Sequence, residues 1–221
     1  GTLTAALPYD VFIYDNAGTL TLEALAWTNG TTRATALVRQ NGVWCKTGVL
    51  TRRYLGTFYT TATTTTEDSE AKRFLWNAYN RVEKVVSRLT TGTWTYQSVT
   101  IRQANATAAN KIEIVAGLAE SYLRAALPSL RETDAGPSYG NSFFGIDSTT
   151  TLATSSLGGH GPAAVSLFSE ATALFKQIVS IGYHYLAWLE ANNNATSAVT
   201  YYGDGGGVTG LRWGILGGYQ C

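Results

Sequence analysis

Few side chains in this 221-residue sequence have the chemistry of an active site: two histidines, fifteen carboxylates and two cysteines. His160 lies in Gly-Gly-His-Gly-Pro, a turn, and His184 lies between Tyr183 and Tyr185 in a strand-like run. A Ser-His-Asp triad or a metal site needs convergent ligands, and neither histidine stands in an H-E-x-x-H or G-x-S-x-G context. His184 is therefore read as a residue on a sheet face, hydrogen-bonded to a neighbour or to water. A polysaccharide depolymerase would need two carboxylates about 5 to 10 Å apart, and spacing nominates no such pair. Asp204, in Asp-Gly-Gly-Gly, lacks the alternating oxygen donors of a calcium loop, and the same glycines lack the Gly-Lys-Ser/Thr of a phosphate loop, so the segment reads as a turn. Cys45 and Cys221 read as a core thiol and a loose terminal one rather than as a bridge. The expectation is a chain without catalytic residues, metal or cofactor.

Aromatic side chains are the other candidates, with 6 Trp, 13 Tyr and 7 Phe. A ring on a strand face belongs to a core, whereas a ring on a loop among polar neighbours can stack on a sugar or a partner. Residues 133–162 are rich in Gly, Ser, Thr, Asp and Pro and form the longest loop-like stretch. Tyr139, Phe143 and Phe144 within it are the best binding candidates. The same rings could instead pin the loop to its own domain or to a neighbouring subunit.

The elements that would carry these groups follow a β rhythm: short runs of Thr, Val, Tyr, Trp and Phe separated by Gly, Asn and Asp. Residues 9–14 and 19–22 flank Asp15-Asn16-Ala17-Gly18 as a hairpin, and residues 36–39 and 43–46 flank Gln40-Asn41-Gly42 as a second. Residues 53–60 read as a further strand, and 60–66, almost all Thr, as an exposed hairpin tip. A helical signal follows: Glu67, Asp68 and Glu70 suit a first turn, Leu75, Tyr79 and Val82 share a face, and Lys84 and Arg88 come late. Phe74 and Trp76 also fit a period of two, so a short helix feeding a strand competes with one long helix. Residues 94–102 and 111–118 are strands, the latter with Ile112, Ile114, Ala116 and Leu118 on one parity. Residues 163–179 fit a helix or a long strand; 181–190, 198–202 and 210–216 complete the sheet.

Charge bounds the function classes. Only 14% of residues are charged, with 16 Lys+Arg against 15 Asp+Glu, whereas soluble domains carry about 25%. A net charge of +1 is no footprint for nucleic acid or an anionic membrane. Apolar runs fall far short of the ~20 residues that span a bilayer, and the first residues have no signal-peptide pattern. The expected fold is mainly β: a single domain over residues 1–221, an antiparallel β-sandwich with one short helical excursion and a loop-rich insertion around 133–162.

Two stretches are distinctive: Arg-Arg-Tyr-Leu-Gly-Thr-Phe at residues 52–58 and Lys-Arg-Phe-Leu-Trp-Asn-Ala-Tyr-Asn-Arg at residues 72–81. They resemble a module in structural proteins of tailed bacteriophages, described as virion structural or tail-fibre proteins. Residues 9–12, 182–190 and 202–205 look similar to the same group. The resemblance implies a jelly-roll β-sandwich that self-assembles, with a trimer expected, on a phage particle beside other virion proteins, and it carries no catalytic residues. Arg52, Arg53, Lys72, Arg73 and Arg81 cluster around these motifs; paired with Asp68 or Glu70 they would brace the domain or a subunit contact, or form an ordinary surface ion-pair set. The reading is a non-enzymatic virion component, placed as capsid decoration or in a tail, neck or fibre. Its rivals are a receptor- or host-glycan-binding module of a tail fibre and a depolymerase.

Overall fold

Residues 2–133, 138–160, 168–204 and 212–221 are described in the computed structural model. The first hairpin forms where its turn chemistry demands. Ala17 and Gly18 take φ of 51° and 88°, the left-handed pair of a two-residue type I′ turn, and the Gly18 N–H donates to Asp15 Oδ1 at 2.7 Å. It joins β1 (Pro8–Asn16) to β2 (Thr19–Ala26) in unbroken register from Asn16↔Thr19 to Tyr9↔Ala26. Asn41 and Gly42 turn the chain in the same way between β3 (Leu37–Gln40) and β4 (Val43–Lys46). β5 (Val49–Tyr59) then pairs with β1 on one side and β4 on the other.

The helical expectation for residues 67–88 is overturned. The segment contains β6 (Lys72–Arg73), β7 (Leu75–Asn77) and the start of β8 (Glu83–Leu89), and the only helical turn among the described residues is a 3₁₀ turn at Ala104–Ala106. Period two won because Phe74 and Trp76 are buried while Leu75 between them is exposed, and burying two large rings outweighs a few tenths of a kcal/mol of propensity per residue. The acids that resembled a first turn accept side-chain bonds instead: Glu67 from Lys72, Asp68 from Arg73 and Lys84, and Glu70 from Ser87.

The chain continues through β9 (Thr93–Tyr96), β10 (Arg102–Gln103), β11 (Lys111–Ala116), β12 (Tyr122–Thr133) and β13 (Gly140–Ile146). It closes with β14 (Ser156–Leu157), β15 (Gly159–His160), β16 (Phe168–Ile178), β17 (Gly182–Asn192), β18 (Val199–Tyr202) and β19 (Gly214–Gln220). The stretch expected to be one long loop thus carries β13, β14 and β15; residues 134–137 and 161–162 of it lie outside the described residues. The ambiguous 163–179 stretch is a strand from Phe168 on, its residues 163–167 also outside.

These strands form three sheets: β2-β1-β5-β4-β3 with β7 on β5; β15-β13-β17-β11-β6 with β10 on β17; and β14-β16-β12-β18-β9 with β19 and β8. Among the described residues, every strand pair except β6 with β11 is antiparallel. The second and third sheets face each other as a sandwich. Ile112, Ile114, Phe144, Leu186 and Trp188 from one meet Leu123, Leu127, Phe175, Tyr201 and Ile215 from the other in a single buried cluster, with Trp94 stacked on Tyr201 at 5.7 Å and edge-on to Trp188. A β-sandwich is thus what the chain forms. β12 changes partner along its length, from β19 at residues 123–126 to β18 at 130–133. Pro128 falls in that gap, where a residue without an N–H is tolerated.

The first sheet joins the sandwich through a buried polar knot. Arg33 Nε donates to Asp10 Oδ2 at 2.7 Å, and its guanidinium also reaches the Tyr54 hydroxyl and the Gly117 carbonyl, just past β11. Thr57 donates to Asp10 Oδ1 at 2.7 Å, and the Arg33 fork lies 4.6 Å over the Trp27 ring. Asp10 is 1% exposed. Burial pushes the Tyr54 phenol well above its usual range, with the Asp10 charge adding to the effect. Gly117 permits the contact: a Cβ there would strike both the Tyr54 hydroxyl and the Trp76 ring. Removing one partner of a buried pair strands the other charge, so Arg33→Leu should cost about 3–5 kcal/mol in urea unfolding. Asp10→Asn in the Arg33→Leu background should recover part of that loss.

Candidate assembly surface

The outer face of the third sheet carries a row of apolar side chains that the register sets side by side. Leu157 on β14 lies opposite Leu174 on β16, Leu174 opposite Ala126 on β12, and Ala126 opposite Leu216 on β19. Leu157 is 69% exposed, Leu174 48% and Leu216 56%. Alternation explains the pattern, since Phe175 and Ile215, the sequence neighbours of Leu174 and Leu216, point inward and are buried. Ala126 is small, so the row dips at β12 between leucine ridges and makes a groove of about 550 Å³, its walls including Ala126, Leu157, Leu174 and Leu216.

One rim of the groove is charged. Arg124 pairs with Glu83, whose side chain lies across Gly218 to reach it, a path that a Cβ at that position would block. Lys176, opposite Arg124 in the register, lies 5.0 Å over the ring of Tyr122. Tyr122 and Ile178, the next pair along, are 45% and 43% exposed. Leucines half in water gain about 1 kcal/mol each when covered. This row, bordered by a paired charge, has the make-up of an interface core and its rim.

The residues singled out from sequence do not come together. Phe144 is fully buried against Phe175, at 5.9 Å between ring centres, and is removed as a contact candidate: it sits on the inward parity of β13. Phe143, on the opposite parity, is half-buried and covers Gly158. Tyr139 is 37% exposed, its ring edge-on to His160 and its N–H donating to Asn193 Oδ1 at 2.6 Å. Among the cations, Arg52 pairs with Glu23 and lies 4.1 Å over the Tyr14 ring, and Arg53 lies 4.3 Å over that of Tyr79. Lys72 reaches Glu67 at 2.9 Å, Arg73 reaches Asp68 at 3.2 Å and the Val85 carbonyl at 2.6 Å, and Arg81 reaches Glu120 at 2.9 Å. Each lies against a partner in its own chain. Cys221 is not loose: it is 2% exposed, and its backbone exchanges two bonds with Val82. Both cysteines are free thiols, and burial pushes that of Cys221 up.

His184 is bonded to two neighbours, Asp147 just past β13 and Ser180 just before β17, that were not legible from spacing. Its Nδ1 lies 2.7 Å from Asp147 Oδ2, and its Nε2 lies 3.1 Å from Ser180 Oγ and 3.0 Å from the Ser180 carbonyl. These are the group types of an acyl-transfer triad. Here Nε2 faces both oxygens of one residue, and the tautomer decides whether it accepts from the hydroxyl or donates to the carbonyl. Either way the ring ties the Ser180 turn to Asp147, whose φ of 52° is held by bonds of its backbone and side chain to Tyr185. The pairing of β13 with β17 brings these residues together.

No protein-family profile and no curated protein matches the chain. Among solved structures, a chain from the structure of infectious bursal disease virus, Gx strain, is similar at 9% identity over 99% of this chain and 70% of that one, with a TM-score of 0.30. A superposition that loose fixes neither topology nor role.

Two outcomes test these placements. Phe144→Ala should cost about 3–5 kcal/mol in denaturant unfolding, and Tyr139→Ala less than about 1 kcal/mol. Burial pushes the Glu23 carboxyl up, but the bonds from Lys46 and Arg52 outweigh it and hold it below 4.5. Its contribution to stability is therefore present above that value and lost as pH falls through the depressed one. Glu23→Gln should flatten the loss of stability below about pH 4.5 in unfolding titrations.

Proposed function

We propose that this chain is a structural component of a bacteriophage virion, acting by self-assembly and packing rather than by catalysis. The observation that carries the reading is the exposed leucine row over β14, β16, β12 and β19 with its groove at Ala126. A sheet face with three large aliphatic side chains in line is costly in water and gains by being covered. The low charge of the chain points the same way, since a Thr-rich surface is covered without stranding ions. The resemblance of residues 52–58 and 72–81 to tailed-phage virion proteins adds the setting, in a capsid decoration, neck, tail or fibre, and a trimer as the expected assembly. A sugar-binding reading would want exposed rings converging on one rim. Of the candidate rings, Tyr139 is exposed with its ring edge-on to His160, and Phe143 is half-buried over Gly158.

Sedimentation and native mass measurement of the purified chain test the assembly. Wild type should associate, and Leu174→Asp with Leu216→Asp should shift it toward monomer by at least tenfold in dissociation constant, with the thermal midpoint little changed because both side chains already face water. Cryo-microscopy of virions should then locate the fold on the particle. A wild-type chain that stays monomeric at high concentration and associates with no particle would overturn the reading.

A further inference from the structure

The free edge of the first sheet has a feature that packing of its own chain leaves unused. Among the described residues, β2 ends the strand order and pairs only with β1. Its turn fixes which backbone groups are spare. In a two-residue hairpin the flanking pair, Asn16↔Thr19, is hydrogen-bonded, and bonded and non-bonded pairs alternate from there. Thr19, Thr21, Glu23 and Leu25 thus turn their N–H and C=O toward β1, and Leu20, Leu22 and Ala24 turn theirs outward. The same three carry exposed side chains on one face, with Leu20 75% and Leu22 64% exposed. Natural edges are blunted by proline, a bulge, or a charge on the edge. β2 has neither proline nor bulge, and its one charge, Glu23, points to the other face, where Lys46 at 2.7 Å and Arg52 neutralise it.

We infer that β2 pairs antiparallel with β2 of a second copy of this chain across a two-fold axis at Leu22. That register is self-complementary. Leu22 faces Leu22 of the second copy, and each Leu20 faces the small Ala24, so large meets small on the exposed face. All three outward residues of each copy fall at hydrogen-bonded pairs, giving about six main-chain bonds. The neutralised Glu23 brings no unpaired like charge across the axis, and the two sheets become one continuous sheet. An isologous contact of this kind closes on itself. It is separate from the leucine row on the third sheet and does not depend on the virion reading.

Cysteine cross-linking reads the register. At a hydrogen-bonded antiparallel pair the Cα atoms are about 5.5 Å apart, within disulfide reach. Leu22→Cys in the full chain, mildly oxidised, should form a covalent dimer, and Thr19→Cys, which the axis sets six positions away from itself, should form at least tenfold less. Circular dichroism checks that both fold. Hydrogen exchange on the unmodified chain gives an independent reading: the amides of Leu20, Leu22 and Ala24 should slow at least tenfold as concentration rises, while those of Thr21 and Glu23 stay protected throughout. Equal cross-linking of the two variants, or none from either with outward amides that exchange freely at every concentration, overturns the inference. Loss of association in the Leu174 and Leu216 variants with cross-linking at residue 22 intact would separate this contact from the other.

Discussion

The contact on which the rest of the molecule depends is the guanidinium of Arg33, held between Asp10 in the first sheet and the Gly117 carbonyl beside the second. Its planar fork meets a carboxylate, a phenol and a carbonyl in fixed directions, a geometry that the point-like ammonium of lysine does not reproduce. Everything near it is arranged around that geometry. Thr57 takes the remaining demand of Asp10, Trp27 covers the fork, and Gly117 is reduced to a hydrogen so that Tyr54 and Trp76 can close over it. Without this knot, the Tyr54 and Trp76 rings that join the first sheet to the core would close over an unpaired buried carboxylate.

The same economy runs through the interior. Arg131 is 1% exposed, and the bonds that hold it run to the carbonyls of Gly140 and Gly159 and to the Ser129 hydroxyl, stitching β12 to β13 and β15; burial pulls its guanidinium down to about 10. Glu190 is fully buried and takes bonds from Trp94, Arg102 and the Asn105 N–H, with burial pushing its carboxyl up. Asp10, Arg131 and Glu190 thus carry charge into the interior, each with its partners, while on the outer face over β12 the charges of Arg124, Lys176 and Glu83 stand beside leucine and alanine.

Local signals were legible where one local force decides. Asn41-Gly42 and Asp15 to Gly18 turn as their φ demands, and Ile112, Ile114 and Ala116 are buried as their parity predicts. Residues 67–88 misled because acids followed by spaced apolar residues suit a helix, while the burial of Phe74 and Trp76 that decides the matter depends on strands far away in sequence. Alternation tells that Leu174 and Phe175 face opposite ways but not which way is water. Phe144 was misplaced because a Gly- and Ser-rich context reads as loop even when its residues pair in a sheet. The Asp147–His184–Ser180 tie had no motif, because its parts are joined by strand pairing and not by spacing.

Ala126 sets the depth of the groove between Leu174 and Leu216, and it lies on a face that the core does not feel. A larger residue there would fill the dip and leave the register, the knot at Arg33 and the buried cluster untouched. The shape this protein offers to its surroundings can therefore drift one side chain at a time while the fold stays fixed, so that related chains could diverge in what they fit against long before they diverge in how they are built.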